Sequence, residues 1–358
     1  MRIKKIAVLG LGKVGTLVAG LLNNSGFKVS AFDIANKSGL PFEIIIGDVS
    51  DPSFLEKHLK NYDAVVSCLP YSFNKNVAAI AFRLGLDYFD LTEDVETADY
   101  IQQISDKTDK IMAPQCGLAP GFIAIVGADL AKGFDKIYSI ELRVGALPQN
   151  PKGDLGYAFN WSAEGVVNEC LNDCNIISEN KLKTVPAMQD LETIVICGKT
   201  LEAFSTSGGL GTMCQSYKGK VQELSYKTIR YPGHMKLMRF FFHELKMKQN
   251  RKEAGRILLE AKPPVNNDVV YVYAAVEGWK GKNALVKHCR DEFVKAYYPQ
   301  TVLNKTWRAI TWTTACSICS VVELAAQGKI KGSGFIKQED IALNLFLNTK
   351  NGSYYNAF

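Results

Sequence analysis

The chain has 358 residues, 47 % of them hydrophobic and 22 % charged, with a formal net charge of +6; this suggests two domains of an ordinary globular enzyme and excludes disordered and fibrous classes. The charge is spread out, densest from Lys246 to Lys252, and without basic–aromatic alternation no nucleic acid is expected as a partner. No apolar run of about 18 residues reads as a membrane span, and a strand beginning almost at Met1 leaves no room for a signal peptide.

Ile6-Ala7-Val8-Leu9 reads as an apolar strand. It runs into Gly10-Leu11-Gly12-Lys13-Val14-Gly15, then a helix from Thr16 to Leu22, then a second strand, Lys28 to Phe32, that closes on Asp33. A dinucleotide-binding turn needs this order. Gly10 permits the tight turn, Gly12 lets a pyrophosphate approach the backbone, and Gly15 lets the helix pack on the sheet with its amino end toward the phosphates. Asp33 falls 18 residues after Gly15, near the ~20 at which an acid meets the ribose hydroxyls. A carboxylate there repels a 2′-phosphate, so NAD is expected over NADP. Lys37-Ser38 follows closely enough to cradle a phosphate if the loop folds inward.

Further along, Glu43 to Ile46 is a third strand ending at Gly47-Asp48. Asp48 stands where an acid often meets the adenine amino group, although a turn residue needs no ligand. Ala64 to Leu69 and Pro70 form a fourth strand, whose end at Cys68, Leu69 and Pro70 belongs beside the cofactor. A helix around Ala78 to Leu84, a strand from Asp87 to Thr92 and another from Lys110 to Pro114 complete a doubly wound sheet. The pattern changes near Gly117. Beyond a turn at Gly117 to Gly121 and a helix through Leu130 come strand-like runs at Tyr138 to Val144, Glu192 to Ile196 and Val269 to Gly278. Thr311 to Ala326 returns to helical periodicity. The expected architecture is an α/β Rossmann domain over residues 1–117. An α+β substrate domain with a largely antiparallel sheet follows over 118–305, and a segment over 306–358 returns to the Rossmann domain.

Nine cysteines, an odd number scattered through these elements, argue for reduced thiols in a cytoplasmic protein. Cys316 and Cys319 lie inside the helical stretch, and Cys170 and Cys174 read as neighbours on one helix. Neither pair has the partners that a redox or zinc site requires, so all four read as buried structural residues and no metal is expected.

Several stretches are distinctive together: Tyr88-Phe89-Asp90-Leu91-Thr92-Glu93-Asp94, Leu118-Ala119-Pro120-Gly121, Ala146 to Pro151 and Asn160 to Gly165. Leu201-Glu202-Ala203-Phe204, Thr228-Ile229-Arg230-Tyr231-Pro232-Gly233-His234 and Gly334 to Ile341 belong with them. In this order they resemble the saccharopine dehydrogenase family over nearly the whole chain, and within it the lysine 6-dehydrogenase branch. The resemblance implies an NAD(P)-linked oxidoreductase on a carbon–nitrogen bond of a lysine-type amino acid, and a homodimer is expected. It also implies that saccharopine-forming reductases carry an aspartate at the position of Ala119 and a cysteine at or near Val144. Those departures point to oxidative deamination of L-lysine to allysine, with saccharopine chemistry as the alternative and a non-catalytic nucleotide sensor as a third reading.

Amine oxidation by hydride transfer needs the neutral amine, while free lysine has a pKa of ~10.4, so the site must take up a proton through a carboxylate, a histidine or water. Glu93, after the fifth strand, is the candidate carboxylate, with Asp94 equally well read as a helix cap. His234, in a glycine-proline turn, is the candidate histidine with a near-neutral pKa; the alternative is a side chain capping the next helix. Arg230 is expected to clamp the substrate carboxylate. A structural arginine tying the turn is the other reading, and Arg143 is the reserve candidate. Arg143, Lys152 and Arg308 would have to converge to hold a second carboxylate.

Overall fold

The computed structural model of the chain describes residues 3–281 and 286–356. The chain divides into two compact units: Met1–Phe122 with Leu303–Lys305 and Thr311–Phe358, and Ile123–Val302 with Thr306–Ile310.

The first unit is built on strands β1 (Lys5–Leu9), β2 (Lys28–Asp33), β3 (Glu43–Ile46), β4 (Ala64–Ser67), β5 (Asp87–Asp90) and β6 (Ile111–Ala113). A two-residue strand, Gly334–Phe335, joins beyond β6. All neighbours pair in parallel, in the spatial order β3-β2-β1-β4-β5-β6. The order reverses between β1 and β4, the switch point at whose carboxyl ends α/β sheets bind ligands. Ile6 to Leu9 and all of β4 are buried, as strands covered on both faces must be. Helix α1 (Gly15–Asn24) turns Leu17, Val18, Leu21 and Leu22 inward. Helix α2 (Pro52–Leu59) starts on an Asp51 cap, and α3 (Tyr71–Leu84) stops at Gly85 in the left-handed conformation. Helix α4 (Val95–Ser105) starts on Asp94, whose carboxylate accepts from Thr97 N–H at 2.8 Å.

Helix Ala309–Ala326 is, among the described residues, the one long and apolar enough to cross a membrane by length and composition, against the expectation that no segment qualifies. Of that span, 89 % is buried inside the protein. Two of its hydroxyls are satisfied there: Ser317 Oγ donates to the Gly117 carbonyl and Ser320 Oγ to that of Cys316.

The second unit holds an eight-stranded sheet. Its strands are β7 (Lys136–Pro148), β8 (Cys174–Ser178), β9 (Lys181–Val185), β10 (Glu192–Ile196), β11 (Lys199–Ser205), β12 (Glu223–Arg230), β13 (Asp268–Lys280) and β14 (Lys287–Tyr297). Six lie in the order β10-β11-β12-β7-β13-β14, with β8 on β12 and β9 on β8. Pairing is antiparallel except between β12 and β7, which run parallel with Lys227 beside Arg143. One local expectation fails. Cys170 belongs to helix Ala163–Leu171 while Cys174 opens β8, so they are not helix neighbours.

Candidate active site

The glycine turn has the geometry a dinucleotide needs. Gly10 sits at φ +87°, and a Cβ there would come within 2.9 Å of Leu69 Cδ2 and 3.3 Å of the Cys68 carbonyl oxygen. A Cβ on Gly15 would stand 1.8 Å from the Gly10 carbonyl oxygen, so helix and turn are packed backbone to backbone. At Gly12 an added Cβ meets nothing within 4 Å. The middle glycine therefore faces open space, as an approaching pyrophosphate requires. Lys13 is exposed, and Val14 precedes α1 with no side-chain cap on the helix amino end.

Asp33 is tied to this turn. Its Oδ2 accepts from Leu11 N–H at 2.7 Å and its Oδ1 from Ala35 N–H at 3.0 Å. Lys37 folds inward, its ammonium donating to the Leu11 carbonyl, so a cation and a carboxylate flank the same residue. Asp48 Oδ1 accepts from both the N–H and the hydroxyl of Ser50, which holds its carboxyl below the ordinary range and makes it a turn cap at the end of β3. Cys68 and Leu69 touch the turn, and Pro70 is exposed at the start of α3. Burial pushes the Cys68 thiol up to about 12, with Asp90 adding to the shift, so it is no thiolate.

Glu93 is half-buried just ahead of α4, while Asp94 is the cap. Sequence reasoning missed Asp90, the last residue of β5 and fully buried. Its Oδ1 accepts from Thr92 N–H at 2.9 Å and Gln115 N–H at 3.0 Å, and its Oδ2 from the Tyr88 hydroxyl at 2.8 Å. It thereby ties the loop carrying Glu93 to the turn after β6. Burial raises its pKa to about 6 against the hydrogen bonds from Thr92, Gln115 and Tyr88.

Arg230 and His234 belong to the second unit. Arg230 ends β12 and is only 3 % exposed, so the turn does not display it. Its Nη1 donates to the Ile229 carbonyl at 2.8 Å, its guanidinium carbon lies 4.7 Å from the Tyr157 ring centre, and its Nε has no partner. Burial opposes its charge, and Tyr157 and Glu169 outweigh that, leaving its pKa raised. His234 is 1 % exposed; Nδ1 lies 2.9 Å from the Leu155 carbonyl and Nε2 has no partner. A carbonyl only accepts, so Nδ1 carries the proton and Nε2 is a bare acceptor. The near-neutral titration expected of His234 is not met: burial, with Arg230 nearby, lowers its pKa to about 3. Nor does its side chain cap the following helix. Glu202 does, accepting from Gly233 N–H and Met235 N–H, both at 2.7 Å.

Arg143 is buried and committed, with Nε donating to Glu192 at 2.6 Å and Nη1 to Ser225 Oγ at 3.1 Å. Lys227 donates to the same Glu192 at 2.7 Å. Lys152 is exposed, and Arg308 donates to Asn266 at 3.0 Å. Burial raises the thiols of Cys170, Cys174, Cys316 and Cys319, as structural cysteines require. Among the described residues no group of three or more His, Cys, Asp and Glu could hold a metal ion.

Residues 6–113 match the family model described as the saccharopine dehydrogenase NADP binding domain, and residues 117–348 the one described as the saccharopine dehydrogenase C-terminal domain. A saccharopine dehydrogenase (NADP+, L-glutamate-forming) from Saccharomyces cerevisiae is 28 % identical over 202 residues, which cover 51 % of this chain and 44 % of that protein. One of the same name from Pyricularia oryzae is 25 % identical over 218 residues, covering 54 % and 46 %. The matches span less than half the length of these relatives. Among solved structures, the apo histidine-tagged saccharopine dehydrogenase (L-Glu forming) from S. cerevisiae superposes with a TM-score of 0.74 at 16 % identity, over 96 % of this chain and 95 % of that one. An engineered D-amino acid dehydrogenase bound to NADP+ gives 0.52 at 11 % identity, over 99 % of each chain. The family model and the relatives carry NADP in their names, where Asp33 led to an expectation of NAD. With both parts of the chain matched and the glycine turn built as described, the chain belongs to the saccharopine dehydrogenase family.

Proposed function

We propose that this protein is a nicotinamide-dependent oxidoreductase acting on the carbon–nitrogen bond of a lysine-type amino acid, and that it deaminates L-lysine oxidatively to allysine. The observation that carries the substrate class is Arg230, a buried guanidinium whose Nε–H is unspent. A planar donor fork of this kind suits a carboxylate. A bound nicotinamide dinucleotide supplies the hydride acceptor, and the open face at Gly12 and the bare amino end of α1 suit its pyrophosphate. Glu93 is our candidate for taking the proton from the substrate ammonium, a role that His234, with its lowered pKa, is badly placed to fill. Lysine, oxidised dinucleotide and water then give allysine, reduced dinucleotide, ammonium and one proton.

The names of the relatives favour a second reading, saccharopine as the substrate. Against it stand Ala119 and Val144, which carry no ionisable group, and the engagement of Arg143 with Glu192. For the dinucleotide we follow the relatives' names to NADP. Lys37 and Ser38 are then the groups on the side of the 2′-phosphate, and Asp33 the group that opposes it. Purified protein incubated with L-lysine or with saccharopine, each with NAD and with NADP, tests all of this. Reduced dinucleotide from lysine alone supports the deaminase. Reduction with saccharopine alone moves the assignment to the second reading.

A further inference from the structure

In the second unit, Arg230 and His234 are among the buried side chains that keep one polar atom without a partner. The large majority of buried side-chain polar atoms are hydrogen-bonded, and one donor and one acceptor within a single cluster call for an explanation. The cluster is otherwise tight. The imidazole packs edge-on to Tyr157 with ring centres 5.2 Å apart and stacks on Phe204 at 6.2 Å. Tyr157 is in turn held by Trp161, whose indole N–H donates to its hydroxyl at 3.1 Å. The Leu155 carbonyl fixes the imidazole in the tautomer that points a lone pair, not a proton, from Nε2.

We infer that Arg230 Nε–H and His234 Nε2 together read the α-amino acid end of the substrate, the arginine taking the α-carboxylate and the histidine accepting a hydrogen bond from the α-ammonium. The inference rests on the amino-acid reading above but not on the choice between lysine and saccharopine, because both carry this end. Tyr157 stacks on the guanidinium, its ring centre 4.7 Å from the guanidinium carbon, and must give way where the carboxylate enters. The segment that leads to Tyr157 contains Gly153 at φ +66° and Gly156 at φ +57°. An ammonium is a donor only, and an acceptor that stays unprotonated pairs with it at every pH at which the enzyme works. A nearby protonated imidazole would instead repel it.

The test is calorimetric binding, with dinucleotide present, of L-lysine, of 6-aminohexanoate (no α-ammonium) and of cadaverine (no carboxylate), together with saccharopine. In the wild type, loss of the α-ammonium should weaken binding at least tenfold; equal affinities for lysine and 6-aminohexanoate overturn the proposal without touching the amino-acid reading. His234→Phe, accepted only if its melting temperature and dinucleotide affinity match the wild type, should weaken lysine tenfold or more and leave 6-aminohexanoate unchanged. A variant that weakens both equally, or neither, also overturns it. If His234→Phe fails to fold, the wild-type ratio decides. Wild-type protein that binds neither lysine nor saccharopine overturns the amino-acid reading itself, and this role with it.

Discussion

Asp33 carries two tasks at once. It closes the glycine turn through Leu11 N–H and Ala35 N–H, and it places a negative charge at the end of β2. Asp33→Asn keeps one acceptor for the turn and removes the charge that opposes a 2′-phosphate. The ratio of NADP to NAD affinity should then rise by about tenfold or more, corresponding to the ~1.5–3 kcal/mol of an interaction with a charged group. An unchanged ratio in a titration with both dinucleotides would detach Asp33 from the choice. For Arg230, the Lys substitution is the cleaner probe, since it retains the charge beside Glu169 while losing the planar fork. If the guanidinium binds the substrate carboxylate in ground and transition states alike, Arg230→Lys should raise KM about tenfold or more, with kcat and dinucleotide affinity nearly unchanged. A variant that loses only thermal stability would return Arg230 to a structural role. Neither its burial nor its stacking on Tyr157 was legible in the sequence, because the strand that hides it is set by pairing with β11 and β7. The same holds for Asp90 and Glu202, each of which accepts from backbone N–H groups far away in the sequence.

Among elements, the glycine turn allows a paired prediction. Gly12→Val should leave the fold and melting temperature near the wild type, since its Cβ meets open space, and should abolish dinucleotide binding. Gly15→Ala should instead destabilise the protein itself, by the upper end of the ~1–3 kcal/mol typical of overpacking, because its Cβ would stand 1.8 Å from a carbonyl oxygen. Equal effects of the two on melting would contradict the division of labour drawn between these glycines. The loop ends of β5 and β6 depend on Asp90. Folded, it holds a proton up to about pH 6, against 3.8 for the ordinary group. The folded state therefore binds the extra proton between those values, so this group's contribution to stability is fullest below about pH 4 and is lost as pH rises through about 6. The loss is of the order of 3 kcal/mol, two pKa units' worth. Asp90→Asn, able to accept from the two N–H groups and donate to Tyr88, should flatten that decline; a melting temperature with the same pH slope as the wild type would contradict it. The parallel strands were legible because β1, β3, β4 and β6 are short, mostly apolar runs between turn signals, and β1 to β6 lie where the sequence places them. Strands β8, β9 and β14 were not. Lys287–Tyr297 lies along a sheet edge and holds runs such as Arg290-Asp291-Glu292 and Phe293-Val294 that break the period-2 signal, and β12 runs parallel to β7 through a contact that no local pattern encodes.

At the scale of the molecule, family and fold stand on the whole chain, whereas the chemistry stands on a handful of residues. The glycine turn, Asp33 and the doubly wound order were enough to read the first unit from sequence. The second unit disclosed its sheet but not its buried polar groups, because desolvation and missing partners are properties of the packed state alone. Under the proposed function, this chain moves a hydride from the carbon bearing the ε-nitrogen of a lysine-type amino acid to a nicotinamide dinucleotide. The most direct measurement uses L-lysine deuterated at that carbon and reads the mass of the reduced dinucleotide, with ammonium release counted in parallel. Deuterium in the dinucleotide, one per ammonium released, is the predicted result. Absence of label in any reduced dinucleotide formed, or no reduction with labelled lysine or with saccharopine labelled at the same carbon, would contradict the account.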